Sequence, residues 1–126
     1  MSKLVLCIDD DNEDLDIFEE ALSEINLSFT CIKAHDGKEG LTFLKSTIPD
    51  YIFLDINMPR MNGIEVLRLI RKQSRLDKVP VIMFSTTIPN EKELKKEGAT
   101  KCIAKSSTFT DLCKVLQTFF SSNGVS

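Results

Sequence analysis

Five times over, an apolar run of strand length is followed by a stretch of helical character. The runs are Lys3 to Ile8, Phe29 to Ala34, Tyr51 to Asp55, Val79 to Ser85 and Lys101 to Ala104. Between or after them, Leu15, Phe18, Leu22 and Ile25, then Ile64, Leu67 and Ile70, then Leu112, Leu116 and Phe119 keep the three-to-four spacing of a helix face. A strand, a helix and a further strand bring the chain back in the same direction. The repeat therefore predicts an α/β fold, with a parallel sheet covered by helices on both faces.

Two helices need separate comment. The second, about Gly37 to Lys45, is short, with Leu41 and Leu44 as its apolar pair. The fourth opens at Pro89-Asn90, has capping-box spacing between Asn90 and Glu93, and closes at Gly98. Leu94 is its only large apolar residue, which fits either a solvated surface helix or a mobile element used in signalling.

At 126 residues the chain is expected to form one domain over 1–121, followed by a frayed polar tail over 122–126 and no output domain. The longest apolar run, Leu4 to Ile8, stops at three aspartates, so neither a signal peptide nor a membrane span is expected. Cys7, Cys31, Cys102 and Cys113 form no CxxC pair, and His35 is not spaced to complete a zinc site. Cys7 and Cys31 lie in strand-like runs and are expected to be reduced and buried, in a cytoplasmic protein. Residues 1–59 carry 13 acids against 4 bases, and residues 60–126 carry 6 acids against 12 bases. No basic stripe with interleaved aromatics suggests a nucleic-acid partner.

The chemistry gathers at the strand ends. The segment YIFLDINMPRMNG (Tyr51 to Gly63) delivers Asp55 to the C-terminal end of a strand, turns at Met58-Pro59 and opens a helix at Asn62-Gly63. In an open α/β sheet that edge is where ligands bind. The first strand ends in Asp9-Asp10, the fourth in Ser85 and the fifth in Lys105. Singly these residues suit helix caps, turns and solvated strand ends; together they place three carboxylates, a hydroxyl and an ammonium on one edge. Crowded carboxylates repel unless a cation joins them, and an all-oxygen donor set suits Mg²⁺. The open positions of such a site suit a phosphoryl oxygen, and an ionised aspartate there is a nucleophile toward phosphorus.

IDD at the first strand, LDINMPRMNG at the third, MFST at the fourth and GATKCIAK at the fifth make the chain resemble a receiver domain of the two-component response regulators over nearly its full length. The resemblance implies a flavodoxin-like doubly wound (βα)5 fold with strand order 2-1-3-4-5. It implies that Asp55 accepts phosphate from a phosphohistidine on a histidine kinase or phosphotransfer protein, and that Ser85 and Lys105 contact the phosphoryl group. Asp10 and Asp55 would bind Mg²⁺ directly with the backbone carbonyl of Asn57, and Asp9 mainly through water. Asp11 matches no site position and is expected to cap a helix. Output would run through the fourth helix, fifth strand and fifth helix, from a protein that at most catalyses its own phosphorylation and slow dephosphorylation.

Two positions depart from the family pattern. Ser106 replaces the usual proline of a cis peptide, so the loop is expected to be either trans and differently shaped, or strained. Cys102 replaces the usual switching aromatic. The alternatives are a receiver-like binding module that never takes phosphate, and a phosphatase of the haloacid-dehalogenase type. The second would use Asp9-x-Asp11 and leave Asp55 idle, with Asp111 as the sole acid after Lys105.

Overall fold

The structure, a computed structural model, describes residues 3–25 and 28–122. Its elements are β1 (Lys3–Ile8), α1 (Asn12–Ile25), β2 (Phe29–Ala34), α2 (Gly37–Leu44), β3 (Tyr51–Leu54), α3 (Gly63–Arg71), β4 (Val81–Ser85), α4 (Glu91–Lys96), β5 (Lys101–Ala104) and α5 (Phe109–Ser122). A single 3-10 turn, Ser74–Leu76, leads from α3 toward β4. All strand pairs are parallel and the order is β2-β1-β3-β4-β5, so β1, β3 and β4 sit inside and β3 holds the centre.

Alternation along the strands feeds two cores. Leu6, Ile8, Ile52, Leu54, Val81 and Met83 pack with Leu44 of α2, Val66, Leu67 and Ile70 of α3, and Leu94 of α4. Val5, Cys7, Phe53, Ile82 and Phe84 face the other way, onto Leu15, Phe18 and Leu22 of α1 and Leu112, Leu116 and Phe119 of α5. Phe53 is fully buried at the middle of this aromatic layer, 4.8 Å from the Phe18 ring centroid and 5.8 Å from that of Phe119. Covering both faces of a parallel sheet is what makes its strands near-continuous apolar runs rather than alternating ones.

The boundaries expected from sequence shift in places, each for a local reason. β3 ends at Leu54 rather than Asp55, yet the Asp55 amide still donates to the Ile8 carbonyl at 3.0 Å, so the carboxylate stays in register with β1. β4 begins at Val81 rather than Val79, because Pro80 has no N–H to give the ladder and only its carbonyl takes part, accepting from Ile52. α2 stops at Leu44, with Lys45 as its C-terminal cap. α5 runs on through Ser122, the first residue expected in the polar tail, and residues 123–126 lie outside the described residues. Cys7 is buried as expected, but Cys31 is half-buried because β2 is an edge strand; all four cysteines are free thiols. No helix among the described residues is long and apolar enough to cross a membrane.

Candidate functional site

The carboxyl edge of the sheet is built by backbone bonds that run one residue past the strands. Asp9 N–H donates to the Ala34 carbonyl, Asp55 N–H to Ile8 and Lys105 N–H to Ser85, at 3.0, 3.0 and 2.8 Å. Asp9, Asp55 and Lys105 are thereby fixed by β2, β1 and β4 respectively, and Ser85 closes β4 itself with no exposed surface. Asp9 and Asp55 are also buried, whereas Asp10 and Asn57 are exposed.

The turn after Asp55 is held from below. Gly63 N–H donates to the Ile56 carbonyl at 2.8 Å, and a Cβ at Gly63 would collide with the Asp55 carbonyl oxygen and the Ile56 Cα. Only glycine permits this approach of α3 to the loop. Asn62 and Glu65 complete a capping box at the start of α3. Just before Asn62 the chain makes a three-residue turn, with Met61 N–H donating to the Pro59 carbonyl and Arg60 in the left-handed region at φ 67°. The Asn-Gly pair was legible as a cap, but the steric demand on Gly63 was not, because it depends on where the Asp55 backbone passes.

Ligand oxygens of Asp9, Asp10 and Asp55 lie within 4.8 Å of one another. Lys105 Nζ donates to Asp9 Oδ2 at 2.7 Å and to Asp14 Oδ2 at 2.9 Å, and it stands 3.8 Å from Asp55 Oδ2. Burial pushes Asp9 up to about 6, against the lowering by its bonds from Lys105 and the Asp11 amide. Burial opposes the charge on Lys105 too, but the bonds to Asp14 and Asp9 outweigh it and raise its pKa above the usual lysine range. Lys105 also lies 5.9 Å from the Phe84 ring centroid, which supports its stem. Asn57 Nδ2 donates to Ser85 Oγ at 3.4 Å, a long bond that ties the β3 loop to the end of β4.

Each residue expected at the site is thus on this edge, and the structure adds Asp14. Asp11 is the cap it was expected to be: its Oδ1 accepts from the amides of Glu13 and Asp14. The Lys105–Ser106 peptide is trans, since no cis peptide occurs among the described residues, so this loop takes the trans shape. Cys102 is half-buried on β5 and packs against the core under α4.

A parallel 2-1-3-4-5 sheet carrying acids, a hydroxyl and an ammonium on its carboxyl edge defines a flavodoxin-like protein whose polar cluster lies where such sheets bind ligands. The chain belongs to the response regulator receiver domain family, whose model matches residues 5–117, and so is a receiver domain of two-component signalling. It is 30% identical over 125 residues to the response regulator Rcp1 of Synechocystis, covering 91% of this chain and 84% of Rcp1. It is 32% identical over 106 residues to the sensor histidine kinase CheAY of Helicobacter pylori, 81% of this chain but 13% of that protein. The high-resolution structure of the chemotaxis response regulator CheY4 of Vibrio cholerae superposes with a TM-score of 0.81 at 30% identity, over 94% of this chain and 98% of CheY4. The phosphorylated cyanobacterial phytochrome response regulator RcpA gives 0.85 at 26% identity, over 96% and 93%. Membership of this family removes the phosphatase alternative, which would have left Asp55 without a role.

Proposed function

We propose that Asp55 is the phosphoacceptor, taking its phosphoryl group from a phosphohistidine on a histidine kinase or a phosphotransfer protein in the cytoplasm. One observation carries this reading: a buried carboxylate at the end of the central strand, 3.8 Å from a lysine ammonium and flanked by two further acids. An Asp55 carboxylate oxygen forms the new P–O bond as the P–N bond to the donor imidazole breaks. Lys105 balances charge on the phosphoryl oxygens, and Ser85 supplies a hydroxyl donor.

The donor set fits a hard divalent cation, since the cluster offers only carboxylate oxygens. We assign Mg²⁺ to Asp10, Asp55 and the backbone carbonyl of Asn57, with Asp9 acting through water. When bound, Mg²⁺ neutralises charge that builds on the phosphoryl oxygens. The Mn²⁺-bound form of Rcp1, which matches this chain with a TM-score of 0.78 at 29% identity over 94% of this chain and 92% of Rcp1, supports a divalent ion here.

The phosphoryl group adds charge beside Ser85 and Lys105. Ser85 moves toward it, the loop from Ser85 to Asn90 follows, and α4, β5 and α5 present the altered face to a protein partner. Incubation with acetyl phosphate and Mg²⁺ should add one phosphoryl group by intact mass, and Asp55→Ala should abolish it. Labelling that persists in Asp55→Ala refutes the assignment. Failure of both acetyl phosphate and kinases to label the wild type would instead favour a binding module that never takes phosphate.

A further inference from the structure

Lys105 is shared between two carboxylates, and only one of them belongs to the acidic cluster. Asp14 lies on the first turn of α1, where the Asp11 cap fixes it by accepting from its backbone amide at 3.2 Å. From there Asp14 Oδ2 takes a hydrogen bond from Lys105 at 2.9 Å, while Asp55 remains at 3.8 Å, beyond hydrogen-bond distance. An ammonium has three donors, and Asp9 and Asp14 occupy two of them. The Asp14 side chain is 39% exposed and lines an open groove of about 400 Å³ with Lys105, Ile17 and Phe109, so it can be changed without opening the core.

We infer that Asp14 is a positioning residue that restrains Lys105 in the resting protein and so limits how readily the Asp55 site accepts a phosphoryl group. The inference rests on the phosphoacceptor reading of Asp55. Two effects act in the same direction. A donor held by Asp14 is one fewer for the incoming oxygens, and the Asp14 carboxylate is a negative charge beside a site that must take up an anion. Phosphorylation then requires Lys105 to redistribute its bonds between α1 and the phosphoryl group.

The test is beryllofluoride titration with Mg²⁺, alongside the rate of labelling by acetyl phosphate, on the full chain. Asp14→Asn keeps the shape and the cap, and it should tighten beryllofluoride binding and speed labelling by roughly three- to ten-fold. Asp14→Glu, which retains the charge, should stay within about two-fold of wild type on the same electrostatic grounds. Glu13→Gln removes an equal charge one residue away, where no bond to Lys105 is made, and it too should change little. Unchanged or weaker binding in Asp14→Asn overturns the inference. An equal gain in Glu13→Gln overturns it as well, because it would assign the effect to net charge. A wild type that binds no beryllofluoride refutes the phosphoacceptor reading and the restraint together.

Discussion

Arg71, at the last position of α3, is the residue on which the placement of α4 depends most. Its Nε donates to the Gly98 carbonyl, its Nη1 to Leu76 and its Nη2 to Val79, each at 2.9 Å, with a longer contact from Nη2 to Thr100 Oγ1 at 3.5 Å. Three segments with no ladder between them (the 3-10 turn, the entry to β4 and the end of α4) converge on one guanidinium. In Arg71→Met the stem still packs but the three carbonyls lose a charged donor. Hydrogen bonds to charged groups contribute about 1.5–3 kcal/mol each, and solvent compensates part of that at a half-buried site, so a total near 3 kcal/mol follows. For a chain of this size that lowers Tm by roughly 10–15 °C. Thermal unfolding followed by circular dichroism, with urea unfolding to check the slope, measures it. Arg71→Lys should recover only part of the loss, because an ammonium lacks the planar fork. A fall in Tm below about 3 °C for Arg71→Met, at an unchanged urea slope, would refute the clamp.

Other perturbations read the site directly. Asp9 has a folded pKa of about 6 against 3.8 for the free group, so its contribution runs opposite to that of an ordinary paired carboxylate. Stability is greatest with Asp9 protonated and is lost as pH rises through about 6, whereas the raised Lys105 contributes evenly over that range. In EDTA the wild type should lose about 2–3 kcal/mol relative to Asp9→Asn between about pH 4 and pH 8. A pH-independent difference between the two proteins in urea unfolding would contradict this. Gly63→Ala forces the Asp55 backbone aside and should slow acetyl phosphate labelling by more than about ten-fold, an effect on the scale of a misplaced reacting group. Labelling at the wild-type rate would show that the loop tolerates a Cβ there. Phe53→Ala should cost about 3–5 kcal/mol in urea unfolding, as expected for a fully buried ring at the centre of an aromatic layer, and a loss under 1 kcal/mol would mean the layer closes over the gap.

How much of this was legible in the sequence depended on the range of the physics involved. Strand order and the convergence of Asp9, Asp10, Asp55, Ser85 and Lys105 followed from repeated apolar runs, motif order and the resemblance they support. Caps were legible as well: Asp11, Asn62 and Asn90 each accept from a backbone amide in the first turn of the helix they open. Contacts between residues distant in sequence were not. Asp14 is an unremarkable acid in the first turn of a helix until β5 brings Lys105 to it from 91 positions away. Arg71 likewise reads as a solvated end-of-helix base, and its partners lie as far as 29 positions downstream. Pro80 displaced the start of β4 through the donor it lacks, a local signal that an apolar run alone conceals.

The same contacts decide what Cys102 leaves possible. α4 buries a single large side chain, Leu94, and its two ends are held unequally. At the C-terminal end Gly98, at φ 114°, closes a Schellman turn in which Ala99 N–H donates to the Leu94 carbonyl, with Arg68 bound bidentately to Glu97 and Arg71 to Gly98. At the N-terminal end the Asn90 side chain accepts from the Glu93 amide at 3.2 Å, in a loop that begins at Ser85. With a small thiol on β5 where an aromatic would be able to swap rotamers, a signal from Ser85 has to pass through that loop. A helix fixed at one end answers by swinging the other. Amide exchange on adding beryllofluoride should therefore change over residues 86–92 and stay constant over 96–99, and an equal change at both ends would refute a pivot at Arg71.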